Sequence, residues 1–146
     1  MKYLREKDGN IRFNAVGFLK DYAYNCRVLQ TLRDSLQLAE DYGPVCMMEG
    51  DRVQTSNISD MTANLAIYTV RLKDQIKLYE FWLARGMDAM SKLTEDEKTI
   101  LQIFFLDGFG TPLRRAMETF HMEKTSIYRI RKQAIDHFSI LMIGDL

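Results

Sequence analysis

The chain has 146 residues, 47% hydrophobic and 27% charged, enough apolar surface to bury a core and too much for an intrinsically disordered protein. Its 20 Lys and Arg balance 20 Asp and Glu, so global charge offers no argument for nucleic acid and any such argument must be local. Two cysteines, a polar stretch at residues 1–10 with no apolar run behind it, and the lack of any segment near the ~20 apolar residues that span a bilayer point to a cytoplasmic protein with free thiols and no signal peptide.

In residues 1–13, Lys7-Asp8-Gly9-Asn10 is a turn signal with Tyr3, Leu4, Ile11 and Phe13 around it; a small hairpin and a frayed terminus both fit. Residues 14–42 read as a long helix, because Leu19, Tyr22, Cys26, Leu29, Leu32, Leu36 and Ala39 recur at three and four. Gly43-Pro44 is expected to stop it. Residues 43–57 read as the longest loop, with Val45, Cys46, Met47 and Met48 as an apolar cluster expected to tuck onto a helix. A second long helix is predicted over 58–90, from Ile58, Met61, Leu65, Tyr68, Leu72, Ile76, Tyr79, Leu83, Met87 and Met90, with Ser59 or Asp60 as its cap. Gly86 weakens its last turns. Two such stripes joined by one loop predict an antiparallel helical hairpin, residues 1–92, serving oligomerisation or partner binding.

The C-terminal segment is more sharply punctuated. Thr94-Glu95-Asp96-Glu97 reads as a capping box, and the helix it opens runs through Ile100, Leu101, Phe104 and Phe105 to Asp107, ending at Gly108. Thr111 and Pro112 open a short helix, as N-cap and first-turn proline, with Leu113, Ala116, Met117 and Phe120 inward. His121-Met122-Glu123 reads as a turn. A longer helix follows from Lys124 to Met142, with Ile127, Ile130, Ala134, Ile135, Phe138, Leu141 and Met142 inward. Helices of about 14, 10 and 18 residues with short connections have the form of a helix-turn-helix unit, so the fold class is all-α with a DNA-binding domain at 93–146.

The functional argument rests on the first turns of the last helix. Residues 94–107 are acidic, with Glu95, Asp96, Glu97 and Asp107 against Lys98. By contrast, Lys124, Arg129, Arg131 and Lys132 fall within nine residues that hold no acid. With Thr125, Ser126 and Tyr128 they supply side chains that pair with base edges and phosphates when a recognition helix enters a major groove. Arg114 and Arg115, on the preceding helix, are expected to touch the DNA backbone.

Residues 93–143 resemble region 4 of the sigma-70 family, and more closely the phage transcriptional regulators of the RinA/ArpU type. The resemblance is carried by the stretch Leu93 to Leu101, by Phe105-Leu106-Asp107-Gly108, and by Thr125 to Ile135. Ser59 to Ile67 is also similar to the start of the second long helix of that family. The chain departs from the family pattern at Glu123, where a cap serine is usual, at Arg115, usually aliphatic, and at Met61, which follows Asp60 where proline is usual. The resemblance implies a phage or prophage transcriptional regulator, an activator of late or packaging genes, that binds double-stranded DNA. The long N-terminal helices are expected to supply dimerisation or an RNA polymerase contact; because one helix-turn-helix buries little surface on DNA, a dimer reading two half-sites through the apolar seam of 58–90 is the expected form. Two other readings are a DNA-packaging subunit like a small terminase, and a module that docks on RNA polymerase or a sigma factor without touching DNA. His121 and His137, sixteen apart, form no metal-ligand pattern, and His137 is expected on a helix surface; no metal, cofactor or catalytic triad is read from the chain.

Overall fold

A computed structural model describes the backbone of residues 2–48 and 55–144 and the side chains of 2–42 and 60–144. It is mostly helical with one small sheet. Among the described residues two strands, β1 (Leu4–Lys7) and β2 (Asn10–Phe13), precede five helices: α1 (Ala15–Met48), α2 (Thr55–Lys92), α3 (Glu95–Leu101, extended by a π-helical segment Gln102–Leu106), α4 (Pro112–Phe120) and α5 (Lys124–Ile143).

The N-terminal residues form a hairpin, paired antiparallel from Leu4 with Phe13 to Lys7 with Asn10. Its two-residue loop, Asp8-Gly9, has φ of 55° and 77°. Positive φ at both positions matches the twist of the flanking strands, and Asp-Gly is among the few pairs that accept it. The Asn14 N–H donates to the Tyr3 carbonyl at 2.7 Å, and its side-chain oxygen accepts the Gly17 N–H at 3.0 Å, capping α1. Tyr3 O–H and Lys2 Nζ both donate to Asp21, at 3.0 and 2.5 Å, tying the hairpin to α1.

Two boundaries differ from the sequence expectation. α1 continues through Gly43 and Pro44 to Met48. A proline inside a helix removes one bond and crowds the carbonyl four residues back, which bends or weakens a helix without necessarily ending it. α2 begins at Thr55, so Ser59 and Asp60 lie inside the helix rather than capping it. The apolar cluster Val45 to Met48 falls outside the residues whose side chains are described.

By its contacts the chain divides into two units, Tyr24–Trp82 and the remainder, Met1–Ala23 with Leu83–Leu146. In the first, segments of α1 and α2 run antiparallel, bridged by Arg33 to Glu80 at 2.7 Å and by Lys73 to Glu40 at 3.5 Å, with Leu29, Leu72 and Ile76 buried. In the second, Phe18 is the hub of an aromatic cluster, with Tyr3, Phe13 and Phe138 at ring-centroid distances of 5.4, 5.6 and 6.1 Å. Gly86 is buried against it; a Cβ there would lie 2.8 Å from the Phe18 ring, so the glycine that weakens the helix also admits the ring. Arg85 closes the end of α5 by donating to the carbonyls of Leu141 and Met142 at 3.0–3.2 Å.

Candidate nucleic-acid interface

The scaffold of the basic helix starts at the capping box, which forms as the sequence predicts. Glu97 N–H donates to Thr94 Oγ1 at 3.3 Å, and Thr94 N–H donates to Glu97 Oε2 at 3.1 Å. Glu97 is nevertheless buried, at 5% exposure, and its second oxygen meets His137 Nδ1 at 2.5 Å. One carboxylate thus caps α3 and ties it to α5, which satisfies a buried acid that would otherwise be costly. His137 lies at the surface as expected; its link to Glu97 joins residues 40 apart in the chain, which helical periodicity does not reveal.

After Leu101 the helix widens. The Asp107 N–H reaches the Gln102 carbonyl, five residues back, at 2.9 Å. Ile103, Phe104, Phe105 and Leu106 are four apolar residues in a row, more than one stripe of a regular helix can bury; the π turn offsets them. Gly108 and Gly110, with φ of 67° and 75°, turn the chain into α4. Pro112 takes the first helical position and Thr111 the cap position, though its side chain makes no capping hydrogen bond. α4 ends at His121 in the left-handed region, φ 52°, a conformation histidine tolerates better than most residues. Glu123 stands at the cap position of α5, also without a side-chain capping bond.

The nine residues singled out on α4 and α5 separate into two groups. Lys124, Thr125, Tyr128, Arg129 and Lys132 are exposed, and Ser126 is half-buried. At about 100° per residue those five exposed positions share one face of α5. Among the described residues Arg129 and Lys132 have no hydrogen-bond or ion-pair partner, and Lys124 Nζ lies 5.9 Å from the Tyr128 ring centroid. Exposed Arg114 pairs with Glu118 one turn on, at 3.1 Å.

The other two are committed within the fold. Arg115 donates to Asp107 at 2.7 Å and to the Phe109 carbonyl at 3.3 Å, and stacks on the Phe109 ring at 4.3 Å. It holds the turn between α3 and α4. Arg131 lies over the Phe104 and Phe105 rings, 5.0 and 5.3 Å from their centroids, and its Nε is buried without a hydrogen-bond acceptor. The spacing carried a signal for this. Arg131 comes four residues after Ile127 and seven before Phe138, so helical periodicity places it on the buried stripe itself, between Phe138 and Met142.

Among the described residues no group of three or more His, Cys, Asp or Glu is arranged to hold a metal ion, and no helix is long and apolar enough to cross a membrane. Cys26 is exposed and unbridged. No protein-family model, curated protein or solved structure matches this chain.

Proposed function

We propose that the protein is a sequence-specific DNA-binding transcriptional regulator of the phage or prophage type, in which α4 and α5 act as a helix-turn-helix and α5 is the recognition helix. The observation that carries this reading is the face formed by Lys124, Thr125, Tyr128, Arg129 and Lys132. It occupies the first turns of a 20-residue helix, directly after a nine-residue helix and a three-residue turn. A recognition helix presents its N-terminal turns to the major groove in this way. Uncompensated Arg and Lys there are free for phosphates and guanine edges. Arg114 reaches the DNA backbone from α4 once released from its exposed pairing with Glu118, which costs little.

Arg115 and Arg131 are assigned scaffold roles. One helix-turn-helix buries little surface on DNA, so affinity comes from a homodimer reading two half-sites, formed through the long N-terminal helices. The resemblance to phage regulators favours activation of late genes, with RNA polymerase as a second partner.

A fluorescence titration against DNA from the protein's own genomic neighbourhood tests the reading. Arg129→Ala is expected to weaken specific binding by about 1–3 kcal/mol, and Lys132→Ala to weaken specific and non-specific binding alike and flatten the salt dependence. Wild-type affinity in both variants would remove α5 as the recognition helix. A ring of eight or more subunits in solution would favour the packaging role instead.

A further inference from the structure

α2 is apolar on two opposite sides. Leu72 and Ile76, at 5% and 8% exposure, are buried within the Tyr24–Trp82 unit. Ile67, Val70, Leu78 and Phe81 are 52%, 58%, 49% and 57% exposed. At about 100° per residue these four lie within some 80° of one another, directly opposite the buried pair. Four large apolar side chains in one uncovered line are unusual for a face that stays in water.

Their order along the helix is symmetric. Ile67 and Phe81 are each seven residues from Asp74, and Val70 and Leu78 are each four from it. The basic residues Arg71 and Lys77 are each three from it. An interface between two identical copies related by a two-fold axis needs this property, because residue i must meet residue j while j meets i. Charge points the same way. On the hairpin side, Lys73 and Glu80 are paired with Glu40 and Arg33. Arg71, Asp74 and Lys77 are exposed and have no ion-pair partner among the described residues.

We propose that this outer face of α2 pairs antiparallel with the same face of a second copy, with Asp74 at the two-fold axis. Ile67 then packs on Phe81 of the second copy and Val70 on its Leu78, at both ends of a seam about 21 Å long. At the centre the two Asp74 carboxylates lie among two Arg71 and two Lys77. A slip of one turn along the helix sets Asp74 against an apolar side chain and breaks both apolar layers, so the central charge specifies register, as a lone polar residue does in a coiled coil. The proposal rests on the homodimer reading above and specifies the surface and geometry it uses.

Sedimentation equilibrium of the full chain is expected to give a dimer. Val70→Glu with Leu78→Glu should raise its dissociation constant roughly thirtyfold or more, the scale of interface hot spots, with unchanged far-ultraviolet circular dichroism because both sites are exposed. A dimer undisturbed by the double variant would overturn this face and leave the homodimer reading intact. A monomeric wild type would overturn both and leave the seam to a different protein. Mild oxidation of Asp74→Cys, in a Cys26→Ser, Cys46→Ser background, reads the geometry even if the double variant fails to fold. A disulfide-linked dimer at 74, with none for Gln75→Cys, supports the two-fold at Asp74, and failure at 74 in a dimeric protein overturns it. DNA titration of the same variants reports separately on α5.

Discussion

Arg131 and Arg129 lie two residues apart on α5 and do different work. Arg129 faces outward, whereas Arg131 spreads over Phe104 and Phe105. A cation over two aromatic faces, partly removed from water, contributes on the order of 1 kcal/mol, and its aliphatic stem adds packing. Arg131→Ala is therefore expected to lower unfolding stability in urea by about 1 kcal/mol, while Arg129→Ala should change it by less than about 0.5. If Arg131→Ala left stability unchanged and abolished specific DNA binding, Arg131 would be a base reader. The sequence grouped both with one basic cluster because charge is visible in a list of residues, whereas aromatic neighbours 26 and 27 positions earlier are not.

At the scale of elements, the N-terminal hairpin shows how a short piece is held. Two four-residue strands are marginal alone; here Asp21 anchors them through Lys2 and Tyr3. The Lys2 ammonium hydrogen-bonded to Asp21 holds its carboxyl below the ordinary value; burial opposes this, and the Tyr3 hydroxyl adds to the lowering. A carboxyl whose folded pKa is depressed stabilises the fold above its unfolded pKa and loses that contribution as pH falls through the folded one. Wild type should therefore exceed Asp21→Asn in stability above about pH 4, and the difference should shrink in more acidic solution. The pair is largely exposed, so the effect is at most about 1 kcal/mol. Equal stability of the two proteins at neutral pH would show that the anchor contributes nothing. The Asp8-Gly9 turn was legible in sequence. The decision between hairpin and frayed end was not, because it depends on Asp21 and Phe18, which belong to another element.

At the scale of the molecule, Phe138 is fully buried and meets Phe13 of β2 and Phe18 of α1, at 6.5 and 6.1 Å. It joins α5 to the hairpin and to the start of the first helix within one core. Phe138→Ala is expected to cost about 3–5 kcal/mol, and should expose amides of β1 and β2 to hydrogen exchange together with those of α5. Loss of protection in α5 alone would show that the aromatic cluster does not couple them.

What the sequence determined by itself are features that depend on neighbours within a turn or two: the capping box at Thr94, Pro112 at a helix start, the break at residues 121–123 and part of the apolar stripes of the long helices, where Leu19, Leu29, Leu72, Ile76 and Leu83 are buried but Cys26, Met61, Tyr68 and Met87 are exposed. These follow from 3.6-residue periodicity and from local backbone chemistry, so they can be read along the chain. Tertiary structure alone decided that Glu97 would be buried against His137, that Arg115 and Arg131 would be spent inside the fold, that the helix would widen at 102–106, and that α1 would pass through Pro44. For the first three, the deciding partners lie on other elements or in the way a run of apolar side chains must be buried. The last turns on whether the rest of the helix tolerates the loss of one hydrogen bond. Sequence spacing measures none of these, because burial and partner distance exist only once the chain has folded.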